Sequence, residues 1–205
     1  GMFVIGLTGG IGTGKTQVSK LLEDLGAEII DADLLVHEAY RSHSEAWKAV
    51  VEAFGEDVLA PSGEVDRKRL GEIVFRDPQA LRRLNAITHP RIKRMVEERI
   101  GRLREDGRDV VVVEAALLLE ANWRPMFSEL WVTTASEDQV FRRLHGRNGL
   151  DEEAIRARIG SQMPQAERVK QADVVIDTSG SIAELTDRVR QLWEGRVSPH
   201  PGEQA

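Results

Sequence analysis

The stretch that most constrains this chain is residues 2–17, MFVIGLTGGIGTGKTQ. Residues 3–7 form a short apolar run with the look of a buried strand. Gly9, Gly10, Gly12 and Gly14 follow, then Lys15 and Thr16. Counted from Gly9 the spacing is G-x-x-x-x-G-K-T, the full phosphate-binding loop pattern. The chemistry needs these residue types. Glycines admit positive φ and let the backbone approach a ligand closely. Successive N–H groups then form a concavity for phosphate oxygens, and a helix starting near Lys15 adds its positive dipole end. Lys15 is placed to bridge the β- and γ-phosphates, and the Thr16 hydroxyl to hold Mg²⁺. A glycine-rich turn with a chance Lys-Thr is the alternative. The strand before and the helix after argue against it.

Composition narrows the function class. The chain has 205 residues, 41% hydrophobic and 30% charged, which suits one α/β domain with an inserted or appended subdomain. A net charge of −6 speaks against a nucleic-acid surface. Cysteine is absent, which excludes disulfides and thiolate metal sites. The histidines at 37, 43, 89, 145 and 200 include no i,i+4 pair, so a zinc site is not expected. Apolar runs such as 110–113 are far too short for a membrane span. No signal peptide is expected, because the run 3–7 lacks a basic start and leads straight into the loop. Gly1, ahead of Met2, reads as a cloning remnant. The expectation is a cytoplasmic protein.

Helical spacing at 18, 21, 22 and 25 predicts a helix after the loop, stopped by Gly26. A second strand over 27–30 ends in Asp31-Ala32-Asp33, followed by a helix over about 34–41. Strand, loop, helix, strand opens a parallel α/β sheet, whose ligands lie beyond the carboxyl ends of the strands. Asp31 and Asp33 stand at that edge, as the loop does, and in extended chain both face one side. Asp33 has two compatible readings, a functional carboxylate and the N-cap of the helix at Leu34. For Asp31 a structural or supporting role is favoured.

From about 44 to 109 no strand is convincing. Helical faces appear at Ala46, Trp47, Val50, Val51 and Phe54, then at Leu70, Ile73 and Val74. Pro78 opens a further helix, Pro90 interrupts after His89, and a long charged helix runs from about 92 to 104. This predicts an inserted helical subdomain. Its Arg67, Lys68, Arg69, Arg91, Lys93 and Arg94 either meet an anionic substrate or form an ordinary solvated face. Residues 109–115, DVVVVEA, predict a central strand. Glu114 at its end either supports Mg²⁺ through water or is a solvated strand-end carboxylate. Strands over 129–134 and 172–177 complete five. Ser136 caps a helix ending in FRRLHGRNG. With the amphipathic stretch 151–162 this has the character of a lid, from which Arg147, or Arg142 or Arg143, brings positive charge to a migrating phosphoryl group. Helix C-terminal charge is the simpler alternative. A helix over 182–193 closes the fold, and 196–205 is expected to be a disordered tail.

Taken together, GLTGGIGTGKT at 6–16, DAD at 31–33, GEVDRKRLGEIVF at 63–75, LNAITHP at 84–90, LLLE at 117–120, RLHGRNGL at 143–150, ARIGSQ at 157–162 and ADVVIDTSG at 172–180 resemble the dephospho-coenzyme A kinase family, in that order. The loop is shared by many NTPases; DAD, THP and the lid segment are far more specific. The resemblance implies an α/β P-loop kinase fold: a three-layer parallel sheet of about five strands, with a helical subdomain and a helical lid. Its expected parts are a core at about 2–43 and 109–195, the subdomain at about 44–108 and the lid at about 146–171.

It also implies transfer of the ATP γ-phosphoryl group, with Mg²⁺, to the ribose 3′-hydroxyl of dephospho-CoA; a monomer is expected, with an oligomer left open. Asp33 matches the acid that serves as base. Gly10, Ile11, Gly12, Thr13, Gly14, Lys15, Thr16 and Gln17 match the nucleotide-binding loop. Thr8 and His89 match positions bordering the acceptor, and Arg147 matches a lid arginine near the phosphates. The chain departs from the family pattern at Gln17, Glu114, Ala116, Asn148 and Thr178. Another small-molecule kinase would keep loop and lid but need a different acceptor subdomain. A GTP switch would need Asn-Lys-x-Asp, yet Asn85, Asn122 and Asn148 are followed by Ala, Trp and Gly.

Overall fold

A computed structural model describes residues 1–116 and 118–197. The side chain of Asn148 and residues 198–205, most of the expected tail, lie outside that description.

The chain divides into two compact units, residues 1–30 with 102–205 and residues 31–101. The first is a five-stranded sheet of order β2-β3-β1-β4-β5. β1 (Phe3–Gly9) is central, pairing in parallel with β3 (Val110–Glu114) and with β4 (Glu129–Thr134). β4 pairs in parallel with β5 (Val174–Asp177), and β2 (Glu28–Asp31) lies at the other edge. The register sets Leu7 beside Glu114 and Gly9 beside Thr133. The loop after β1 therefore emerges between the ends of β3 and β4, where the connections diverge to either side. Open α/β sheets bind ligands at such a point.

Apolar runs in β1, β3 and β4 are buried because helices cover both faces. On one face Ile5, Leu7, Val112, Trp131 and Ile176 pack with Val18 and Leu22 of α1 (Lys15–Leu25) and with Leu185 and Val189 of α9 (Ile182–Leu192). Gly26, at φ 119, ends α1 as its αL cap. A separate small core joins α6 (Glu137–Asn148) and α7 (Glu152–Gly160). Ala135, Val140, Leu144 and Ile155 are buried there, and Ile11 of the phosphate loop packs against them. Ser136 caps α6 as expected, accepting from the Gln139 N–H at 3.2 Å. α8 (Gln165–Gln171) leads back to the sheet.

Several boundaries differ from expectation in this unit by a residue or two, and two of them have a visible cause. β5 starts at Val174 rather than 172, because the Asp173 carboxylate takes the Leu130 N–H at 2.7 Å and the Arg124 guanidinium at 2.8 Å. The last helix continues as a π turn, Trp193–Val197, with Val197 buried in the core, so the ordered chain passes Arg196.

The second unit is helical: α2 (Ala32–Ala39), α3 (Glu45–Phe54), α4 (Arg67–Arg76) and most of α5 (Pro78–Glu105). α2 begins at Ala32, two residues before the expected start. Its N-cap is Asp31, not Asp33, because Asp31 Oδ1 accepts from the N–H groups of Asp33 (3.0 Å) and Leu34 (3.3 Å). α5 is one helix of 28 residues with Pro90 inside it, where the sequence suggested two. Proline removes one N–H and its ring crowds the preceding turn. Here the Ile87 carbonyl in that turn accepts from Arg91 Nη1 at 2.6 Å. Thr88, Ile92, Val96 and Ile100 are buried along one face, and that continuous burial outweighs the local defect.

Among the described residues no helix is long and apolar enough to cross a membrane. Replacing Pro90 by Ala should raise the unfolding free energy by about 1–3 kcal/mol, since an interior proline costs about 3 kcal/mol relative to alanine. Urea titration followed by circular dichroism measures this; a lower midpoint would show that the proline is structurally required.

Candidate active site

The phosphate loop is shaped by what holds its carbonyl groups. Lys15 Nζ donates to the Gly9 carbonyl at 2.9 Å. The Gly10 carbonyl takes the Thr13 hydroxyl at 2.6 Å and the Thr13 N–H at 3.2 Å. The Gly12 carbonyl accepts from Arg143 Nη1 at 2.9 Å. The Thr13 carbonyl accepts from the Thr178 hydroxyl at 2.7 Å, and the Gly14 carbonyl from the Val18 N–H at 3.2 Å. In a trans peptide the next N–H points opposite the carbonyl. Holding Thr13 O and Gly14 O therefore aims the Gly14 and Lys15 N–H groups the other way.

Gly14, at φ 83, is the N-cap of α1 and supplies no side-chain cap. The first-turn amides of α1 are thus left to a ligand, and their dipole favours an anion. Two glycines are obligatory. A Cβ on Gly9 would stand 2.1 Å from Thr133 Oγ1 and 2.6 Å from Thr13 Oγ1. Gly14 combines its positive φ with a Thr178 hydroxyl 3.0 Å from where a Cβ would lie.

Thr178 and Arg143 tie three elements together. Arg143, on α6, donates to the Gly12 carbonyl, to Thr178 Oγ1 at 3.0 Å and to the Thr178 carbonyl at 2.8 Å. Burial, with the Arg147 charge one helical turn on, lowers its pKa, while Asp177 opposes the shift. A guanidinium stays charged through such a change. Arg147 itself is exposed on the last turn of α6.

Glu114 is buried at the end of β3. Its carboxylate accepts from the Thr16 hydroxyl at 3.2 Å and the Ser19 hydroxyl at 2.7 Å. Hydroxyl and carboxylate oxygens suit Mg²⁺, which takes few protein ligands and completes its shell with water and phosphate oxygens. Among the described residues no cluster of three His, Asp or Glu side chains stands ready for a metal. That fits an ion shared with a bound nucleotide rather than caged by protein. Thr16 with Glu114 would hold it.

Thr8 is fully buried, its hydroxyl donating to the Ala116 carbonyl at 3.2 Å. The first unit thus brings together Thr8, the whole loop, Glu114, Arg143 and Thr178. Ser19, Thr133 and Gln162 were not legible as site residues. Ser19 lies three residues beyond Thr16, hence on the same helix face, and Thr133 is in register with Gly9. Gln162 closes the ARIGSQ segment, but nothing in the sequence tied it to the loop.

Asp33 and His89 belong to the second unit. Asp33 is exposed on the first turn of α2. One turn on, His37 accepts from the Arg67 guanidinium. Buried Tyr40 has its pKa pushed up to about 12 by burial, against the opposing Arg67 charge. Several of the basic residues offered for an anionic substrate have internal partners: Arg69 donates to the Asp57 carbonyl, Arg91 to Ile87, and Lys93 pairs with Glu97.

Residues 3–184 match the family model described as dephospho-CoA kinase. The chain belongs to the dephospho-CoA kinase family. A dephospho-CoA kinase of Geobacter sulfurreducens is 44% identical over 195 residues, 95% of this chain and 99% of the relative. The solved dephospho-CoA kinase from Campylobacter jejuni superposes with a TM-score of 0.67 at 26% identity, over 93% of this chain and 95% of that one. A shikimate kinase from Acinetobacter baumannii, solved with shikimate, shares only the fold, at 15% identity and a TM-score of 0.58 over 96% of both chains. The family's kinase fold accounts for the central loop, and this chain builds the loop's support with Thr178 and Arg143.

Thr178→Val should weaken Mg-ADP binding about 3- to 10-fold and destabilise the protein by about 1–3 kcal/mol, because it leaves buried polar groups unpaired. Calorimetric titration and denaturant unfolding measure the two. For the second unit, burial lowers the His89 pKa from its usual 6.5. The unfolded chain then takes up a proton first as pH falls, so the His89 contribution is whole above about pH 6.5 and is lost below it. Urea midpoints should drop between pH 7.5 and 5.5 in the native protein, and drop less in His89→Gln.

Proposed function

We propose that this chain transfers the γ-phosphoryl group of ATP to the ribose 3′-hydroxyl of dephospho-CoA, the last step in making coenzyme A. The observation that carries the reading is the set of outward-held carbonyls around the loop of a dephospho-CoA kinase family member. Phosphoryl transfer asks for positioning and charge neutralisation rather than covalent chemistry. In this reading the backbone amides of residues 12–17 and Lys15 receive the β- and γ-phosphates. Thr16 and Glu114 hold the magnesium site. A Mg²⁺ held there would supply positive charge against the charge that develops on the transferring group.

Asp33 is the acceptor-side group. The Asp31 cap fixes the start of its helix, and its carboxylate orients the acceptor hydroxyl and takes the proton. Thr8 and His89 border the acceptor, and Arg147 adds positive charge when the lid segment closes and excludes water. Gln17 completes the loop's contacts. In this reading the core takes in about 2–43 and 109–195, the helical subdomain about 44–108 and the lid about 146–171. The protein acts in this account as a cytoplasmic monomer on free small molecules, without nucleic acid or membrane as partner; the acidic balance supports the former.

An ADP-release assay with dephospho-CoA, AMP, adenosine and gluconate tests the acceptor. Turnover is expected with dephospho-CoA, with the product carrying a 3′-phosphate by NMR. Strong turnover with one of the others and none with dephospho-CoA would reverse the assignment. Asp33→Asn should lower kcat by about 10²–10⁴-fold, the scale for a positioned base, while Mg-ADP affinity stays within about twofold, because the loop is untouched. Near-native turnover would remove Asp33 from the mechanism.

A further inference from the structure

The tip of the phosphate loop is built into the lid segment. The Ile11 side chain packs against the small core formed by Val140, Leu144 and Ile155. Its N–H donates to Gln162 Oε1 at 2.9 Å, a bond spanning 151 residues of sequence. Gln162 lies one residue past Ser161, the C-cap of α7, whose N–H donates to the Ala157 carbonyl. The acceptor atom is thus fixed to the end of a helix rather than to a loose chain.

The space behind the tip is poorly filled. A cavity of about 250 Å³ lies there, lined by Gly10, Ile11, Val140, Ile159, Gln162 and Arg168. Side-chain packing alone therefore does not hold the backbone at 10–11, and the hydrogen bond carries more of the restraint. At the cavity's polar end Arg168, 2% exposed, stands 3.7 Å from Glu120. Its Nη1 is 3.1 Å from where a Gly10 Cβ would lie. Arg168 Nε and Nη2 and both Glu120 carboxylate oxygens make no hydrogen bond. Such a pair is costly to bury. It does not tighten the tip by hydrogen bonding, so Gln162 holds the N–H side of the Gly10–Ile11 peptide while Thr13 holds its carbonyl side.

We propose that Gln162 is a positioning residue for nucleotide phosphates: its amide oxygen holds the Ile11 N–H, so that the placement of the lid segment and the shape of the anion-binding loop are set together. It touches no reacting atom. It acts through the Gly10–Ile11 peptide, whose carbonyl Thr13 holds on the opposite side. The inference rests on the kinase reading above, but its first test does not.

Gln162→Leu keeps the bulk and cannot accept; Gln162→Asn keeps the amide but falls short by one methylene. Both should weaken Mg-ADP binding in calorimetry by about 3- to 10-fold, the range for one lost hydrogen bond. Melting temperature should fall by no more than about 2–4 °C, the shift that losing one hydrogen bond gives a domain of this size. In turnover, KM for ATP should rise by the same factor and KM for dephospho-CoA stay unchanged. The ratio of ADP formed to acceptor phosphorylated should also rise, because a misplaced lid admits water.

Native ADP affinity in both variants would overturn the proposal. So would an equal rise in both KM values with a large fall in melting temperature, which would mark a merely structural residue. If the native enzyme binds Mg-ADP but does not phosphorylate dephospho-CoA, the acceptor assignment fails, while the binding comparison still decides the role of Gln162.

Discussion

Everything in the site depends on keeping one loop's carbonyl oxygens away from where an anion must sit. A glycine-rich loop is free to turn its peptide planes either way. Left alone, it would present both donors and acceptors to a phosphate, and the acceptors would repel it. Here the carbonyls of Gly9, Gly10, Gly12, Thr13 and Gly14 each have an internal donor. Three of these donors come from the loop or from α1. The other two, Arg143 and Thr178, come from α6 and from the end of β5, and they bond each other. The loop's charge pattern is therefore a property of the whole first unit.

The sheet order makes this possible. With β1 central and flanked by β3 and β4, the loop emerges with Glu114 on one side and Thr133 on the other. Glu114 receives two hydroxyls from α1, and Thr133 closes on Thr13. The close approach of Thr133 to the backbone is why Gly9 admits no side chain. Packing and electrostatics thus impose the same residue choices at the same positions. The departure at Thr178 from the family pattern is accommodated by a hydroxyl that both donates, to Thr13 O, and accepts, from Arg143.

The helical unit follows a different logic. Its long α5 keeps a proline in its interior because one face is buried along its whole length. Its α2 starts where the Asp31 carboxylate satisfies two amide donors, which places Asp33 on the first helical turn rather than at the cap. Positive side chains that looked available for an anion are partly engaged by backbone carbonyls and carboxylates within the unit.

Local sequence determined the phosphate loop, the five strands and the cap at Ser136, because each of these depends on residues within one turn or one strand of each other, and the order of such motifs along the chain gave the family. It pointed to Glu114 and Arg143 only as candidates, and to Thr178 only as a departure. It misjudged the cap of α2 and the interruption at Pro90, where two local rules competed and burial elsewhere chose between them. What tertiary structure alone decided is which distant groups meet the loop: Thr133, Thr178 and Gln162 lie between 120 and 165 residues away from their partners along the chain. No periodicity or spacing records such a meeting, because it is fixed by sheet register and by how α6 and α7 pack, and these exist only once the chain has folded.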